Sequence, residues 1–156
     1  MIRRGWWWIG LLLLVGAVGG CGDHDHHHRD RLGCALFQEI EPNDTPRTAD
    51  FLGEAFVGDC AIVEGSLFDA TDVDTYRFFV EESLSLAVTL DHNAEVTVAL
   101  QLVDADTGQL IRDCGRAVGP AVCVVPFVVR VRDLAVDVVV TSVSGAGSYT
   151  LTLVAQ

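Results

Sequence analysis

Residues Leu84 to Asp104, "LSLAVTLDHNAEVTVALQLVD", put Leu84, Leu86, Val88 and Leu90 on alternate positions, and then Val96, Val98, Leu100 and Leu102. A period of two sends successive side chains to opposite faces of an extended chain, so each run is a strand with one face in a core and one in water. The cluster Asp91 to Glu95 between them supplies a turn. The period recurs on both sides. Tyr76, Phe78 and Val80 precede it; Phe127, Val129 and Val131 alternate with Arg130 and Arg132; Val136, Val138 and Val140 follow, and Tyr149, Leu151 and Leu153 close the chain. Further turn clusters stand at Asp104 to Gln109 and at Ser144 to Ser148. Seven to eight short strands in roughly 100 residues, with no long helical period, predict an all-β chain folded as an antiparallel β-sandwich of jelly-roll type. It is read as one domain over residues 34–156, large enough to bury its own core. Pro126 lacks an N–H for the ladder and predicts an edge or a bulge.

Upstream the pattern changes. Arg3 and Arg4 precede an apolar run from Trp6 to Val18, and small residues lead to Cys21. A positive start, an apolar run short for a membrane span and a small-residue cleavage region read as a signal peptide over residues 1–20. Val18-Gly19-Gly20-Cys21 resembles a bacterial lipobox, which implies cleavage before Cys21 and acylation of its thiol. Gly22, where an aspartate would favour the inner membrane, directs such a lipoprotein to an outer membrane in a cell that has one. The acyl chains then provide the membrane contact, each buried methylene contributing about 0.8 kcal/mol. The expected location is extracytoplasmic and lipid-anchored.

Residues 21–33 contain "GDHDHHHRDRL" from Gly22 to Leu32, polar and without periodicity, and read as a flexible tether. His24, His26, His27 and His28 within it are candidate ligands for a transition metal. The chain contains no Lys, and its formal charge is −12; losing Arg3 and Arg4 with the signal removes two positive charges and leaves −14. Such a surface repels nucleic acid and attracts cations. It also simply keeps a protein soluble.

With Cys21 assigned to lipid, Cys34, Cys60, Cys114 and Cys123 remain. An even count outside the cytoplasm reads as two disulfides, for which three connectivities are open. Cys34–Cys60 and Cys114–Cys123 are favoured because each pair flanks one local excursion of the chain. Zinc-type cysteine spacing is lacking.

Two acidic segments remain. Glu39-Ile40-Glu41-Pro42-Asn43-Asp44-Thr45-Pro46 with Thr48-Ala49, then Gly65-Ser66-Leu67, Asp72-Val73-Asp74-Thr75-Tyr76-Arg77-Phe78 and the closing Gly147-Ser148-Tyr149-Thr150-Leu151-Thr152 together resemble the bacterial pre-peptidase C-terminal domain. The resemblance runs from about Phe37 to Val154 and departs from the usual arrangement in that no peptidase precedes it. It implies a β-sandwich and a calcium site at Glu39, Glu41, Asn43, Asp44, Ser66, Asp72 and Asp74. A hard dication takes six to eight oxygens from such groups, often weakly in extracellular modules. The same residues also suit plain turn chemistry, with Asn43 to Thr45 capping one helical turn through "RTADFL" and Asp72 and Asp74 opening a strand.

His92 is the single histidine after the tether, so a catalytic triad has one candidate base and nothing that positions it. Trp6 to Trp8 leave with the signal, which disfavours sugar stacking and favours a protein partner. The reading is therefore a non-catalytic, envelope-anchored lipoprotein. It serves as a binding or interaction module of the pre-peptidase C-terminal type, for an unidentified protein or polymer, with calcium as a stabilising ion. The alternative is a transition-metal-handling lipoprotein that uses the His tether. Cys21→Ser is expected to abolish incorporation of labelled fatty acid; label retained by the Ser variant would overturn the lipid assignment.

Overall fold

The computed structural model describes residues 28–29, 33–80, 83–127 and 134–156. The signal, Cys21, His24, His26 and His27, and the Val129 to Arg132 run lie outside the described residues. Eleven strands occur among those described: β1 (His28–Arg29), β2 (Ala35–Gln38), β3 (Asp50–Ala55), β4 (Cys60–Leu67), β5 (Val73–Val80), β6 (Leu84–His92), β7 (Thr97–Asp104), β8 (Leu110–Ala117), β9 (Ala121–Phe127), β10 (Leu134–Ser144) and β11 (Gly147–Ala155). They form two sheets. The first has the order β1-β2-β4-β11-β6-β9 and the second β3-β5-β10-β7-β8.

The core is where the alternating runs meet. Val63, Val88, Leu90 and Leu151 of the first sheet face Tyr76, Leu100, Val138 and Val140 of the second, all fully buried. Each such aliphatic side chain contributes about 1.5–3 kcal/mol by leaving water. The sandwich is thus the all-β one that the period of two implies.

Two features differ from the sequence reading. There are more strands than seven or eight, because β2, β3 and β8 are edge or near-edge strands whose residues are only half covered, so their sequences, such as "DFLGEA", carry little alternation. The sheets are also mixed. β2 runs parallel to β4, and β3 runs parallel to β5. The 33–55 segment adds one strand to each sheet, and the connection between those strands must cross the sandwich. "RTADFL" accordingly forms no helix: Thr48 N–H donates to the Thr45 carbonyl at 3.0 Å, closing one turn, and Asp50 begins β3.

Pro126 lies on β9, the free edge of the first sheet, opposite Ser85. Ser85 exchanges both backbone hydrogen bonds with Gln156, at 2.8 Å each, so the missing N–H of Pro126 costs this ladder nothing. Disulfides join Cys34 to Cys60 and Cys114 to Cys123. The second links β8 to β9 and so ties the two sheets together along one side. Two disulfides suit folding in an oxidising compartment.

On the outer face of the second sheet Arg77 and Asp137 stand directly opposite one another. Arg77 Nε and Nη2 donate to the two Asp137 oxygens at 2.7 and 2.8 Å, with Asp137 only 1% exposed. A bidentate, charge-assisted pair of this kind is specific in geometry. Asp137→Ala is expected to lower stability by about 1.5–3 kcal/mol, measured by urea denaturation, since hydrogen bonds to charged groups are worth that much. A variant within experimental error of wild type would assign the pair no net role.

Candidate functional site

At one pole of the sandwich β2 and β4 end and β5 and β11 begin, and the chain crosses from the first sheet to the second through residues 39–49. Glu39 starts the crossing. Its Oε2 accepts the Ser66 N–H at 2.7 Å and the Ser66 hydroxyl at 3.3 Å, while Oε1 accepts from the Tyr76 hydroxyl at 3.3 Å and Asn43 Nδ2 at 3.4 Å. Glu39 therefore reads the backbone of β4 and the ring tip of β5 together.

Asn43 is pulled fully inside. Its N–H donates to Glu41 Oε2 at 3.1 Å, and its carbonyl accepts the Thr75 N–H at 3.1 Å, which pins the crossing to β5. Asp50 closes the other end of the loop by accepting the Ile40 N–H at 2.8 Å.

Asp74 is also fully buried, and its Oδ2 accepts the Tyr149 hydroxyl at 2.6 Å. Tyr149 and Tyr76 touch through their hydroxyls, so two hydroxyl protons serve two carboxylates, Asp74 and Glu39. Burial pushes both tyrosines upward, keeping them neutral donors. Gly65 makes this arrangement possible: a Cβ there would meet Tyr149 Cζ and its hydroxyl at 2.5 Å and the Tyr76 hydroxyl at 2.9 Å. The sequence reading placed both tyrosines on strands and did not place them in the site. Tyr76 follows Asp72 and Asp74 in sequence, but Tyr149 follows the neutral turn Ser144 to Ser148, so its place in the site came only from the pairing of β11 with β4.

Seven residues were candidate cation ligands, and the structure draws all of them to this pole. Carboxylate oxygens of Glu39, Glu41 and Asp74 lie within 4.8 Å of one another, as do those of Glu41, Asp44 and Asp72. Glu41, itself exposed, belongs to both groups, and desolvation followed by the charges of Glu39, Asp72 and Asp44 raises its pKa. Ser66 is occupied as a donor to Glu39. Asp72 also serves its own turn, accepting the Phe68 and Val73 N–H groups at 2.5 and 3.0 Å. Turn chemistry and an acidic cluster coexist in the same residues.

Among the described residues two oxygens have no hydrogen-bond donor: Oδ1 of Asn43 and Oδ1 of Asp74, both buried. Leaving such atoms unsatisfied away from water is costly. An amide oxygen and a carboxylate oxygen among further carboxylates are the donor set of a hard dication. Burial pushes the Asp74 carboxyl up to about 8, with the charges of Glu39 and Asp72 adding to it. Beside the cluster an open polar groove of about 600 Å³ runs from Glu39, Ser66 and Tyr149 towards Glu64, Asp91 and His92. His92 Nδ1 donates to the Asn93 carbonyl at 2.8 Å.

No protein-family model and no curated protein matches this chain. Among solved structures, the pre-peptidase C-terminal domain of collagenase from Bacillus anthracis is similar, with TM-score 0.53 and 15% identity over 67% of this chain and 93% of that one. The periplasmic g-type lysozyme inhibitors PliG give 0.47 at 14% identity for Salmonella Typhimurium, over 70% of this chain and 100% of that one, and 0.45 at 14% for Aeromonas hydrophila, over 69% and 97%. The first likeness shows that the sandwich has the fold of a pre-peptidase C-terminal domain, the fold that the sequence resemblance implied.

A carboxyl whose pKa is raised in the fold stabilises the protein fully below its unfolded value of 3.8 and loses that contribution as pH climbs through about 8. Without divalent cations, the thermal midpoint is expected to fall between pH 5 and pH 8.5, a window set by that shift. Asp74→Asn, which keeps an oxygen for Tyr149, is expected to flatten this fall. An equal pH slope in wild type and variant would mean that Asp74 ionises freely.

Proposed function

We propose that this chain is a non-catalytic binding module, held outside the cytoplasm by acyl chains on Cys21, and that calcium at its acidic pole is a structural ion. The observation that carries the calcium reading is the pair of buried, donorless oxygens on Asn43 and Asp74 inside a set of four further carboxylates. Glu39, Glu41, Asn43 and Asp74 would hold the ion, and Asp44 and Asp72 would complete its charge balance. Its chemistry there is electrostatic: a dication turns the mutual repulsion of these acids into attraction and fastens the 39–44 crossing to β4 and β5. Ser66, Tyr76 and Tyr149 keep the carboxylates aimed whatever the occupant. The polar groove beside the pole gives a binding surface whose wall, through Glu39 and Ser66, is shared with the ion site.

Binding to the folded state alone stabilises by RT ln(1 + [L]/Kd), about 2.7 kcal/mol at 100 times Kd. Calcium is therefore expected to raise the thermal midpoint by several degrees over chelator at constant ionic strength, with magnesium doing less. Asp44→Asn and Asp74→Asn should each lose most of the difference between calcium and chelator while keeping a β-type circular dichroism spectrum. Equal midpoints in calcium and chelator, with no heat of binding at millimolar calcium, would leave the pole as turn and capping chemistry alone.

A further inference from the structure

The polar groove beside the acidic pole offers a ligand side chains and little else. Its floor is one register row across four strands, Gln38 on β2, Glu64 on β4, Thr150 on β11 and Asp91 on β6, with Ser66 and Ser148 in the row beyond and Asn93 at the end. β4 and β11 are each paired on both sides, so an extended peptide finds no free ladder to join there. Hydroxyls, amides and carboxylates remain. Among the described residues no aliphatic side chain and no arginine lines the groove, and the chain has no lysine. Acids without a cation repel an anionic ligand, and a wall without apolar groups gives a hydrophobic one nothing to bury against.

The oxygen cluster next to the groove is short of ligands for an ion. Donors of the fold hold one oxygen on each of three carboxylates: the Ser66 N–H on Glu39 Oε2, the Asn43 N–H on Glu41 Oε2 and the Tyr149 hydroxyl on Asp74 Oδ2. Glu39 Oε1 has only the long contacts at 3.3 and 3.4 Å, and Oδ1 of Asp74 and Oδ1 of Asn43 have none. Glu39, Glu41, Asp74 and Asn43 thus offer one oxygen each, whereas calcium takes about six to eight. Asn43 and Asp74 are fully buried and close the inner side of the cluster, while Glu39 is half-buried and Glu41 exposed. Glu39 is at the same time a wall of the groove.

We propose that the groove binds a neutral saccharide, two adjacent hydroxyls of which fill open coordination positions of the ion beside Glu39. This rests on the calcium reading and names the ligand class of the same site. Charge makes the choice. A basic ligand meets the charge of the ion and an acidic one meets Glu64 and Asp91, but a pair of hydroxyls adds oxygen without adding charge. Ser66, Ser148 and Thr150, with Gln38 and Asn93, supply donors and acceptors for the other hydroxyls. Tyr149 is only 4% exposed, so there is no ring face to stack on, and binding by ligation and hydrogen bonds alone is weak.

The test uses the purified full-length chain in a detergent without a sugar head group. Saturation-transfer NMR reads weak binding of methyl mannoside, methyl galactoside and diacetylchitobiose, in calcium and in chelator at fixed ionic strength. At least one of these probes is expected to give a signal in calcium and to lose it in chelator. Asn93→Ala and Ser148→Arg alter the groove and leave the oxygen cluster alone, so each is expected to lose the probe signal and to keep the calcium-induced rise in thermal midpoint. Asp74→Asn is expected to lose both. A wild-type midpoint indifferent to calcium would overturn the ion reading and this inference with it. A midpoint that responds to calcium while no probe binds, a probe signal equal in calcium and chelator, or binding of arginine amide in place of the saccharides would overturn this inference alone.

Discussion

Everything at the acidic pole depends on keeping one carboxylate, Asp74, out of water. Its burial is a consequence of topology: β5 is an interior strand of its sheet, and the 39–49 crossing lies over its first residues, with the Asn43 carbonyl taking the Thr75 N–H. A carboxylate in that position must be protonated, hydrogen-bonded or matched by a cation. The fold supplies half of an answer through the Tyr149 hydroxyl and leaves the other oxygen open. Gly65 is the concession that lets the tyrosine reach it, because a side chain there would occupy the ring's place.

The same crossing explains why the sandwich closes differently on its two sides. On one side the Cys114–Cys123 bridge connects the edge strands of both sheets. On the other, β2 and β3 come from a single continuous segment; Cys34–Cys60 fastens the start of β2 to β4, and the loop between β2 and β3, fixed by Glu39, Asn43 and Asp50, spans the two sheets. A disulfide links the two sheets on one side, and the acidic loop links them on the other. Electrostatic balance at the pole is thereby linked to the seating of two strands, one in each sheet. A structural ion would act on the whole N-terminal third of the domain.

Legibility of the fold followed burial. β5, β6, β7, β10 and β11 have one face in the core, and their alternation was plain in the sequence because water and core impose opposite demands on successive residues. β2, β3 and β8 lie where that contrast is weak. Their parallel or edge placement comes from pairing partners far away in sequence, with β3 joining β5 across the intervening β4. The acidic residues could be picked out by type and by family resemblance. The tyrosines and Gly65 could be placed on strands but could not be joined to them, since their meeting depends on which strand ends share a pole.

By itself, the sequence determined the all-β class, the position of most core residues, and the oxygen-rich chemistry of Glu39 to Asp44 and Asp72 to Asp74. These are local properties: a period, a composition, a donor set. Only the tertiary structure decided that the two acidic segments meet, and that Asn43 and Asp74 are sealed from water. Each of those depends on register between strands up to about 90 residues apart, such as Tyr149 beside His92 and Gly65. A one-residue slip in any of them would turn the same side chains to the opposite face, which is why no local pattern could have fixed the outcome.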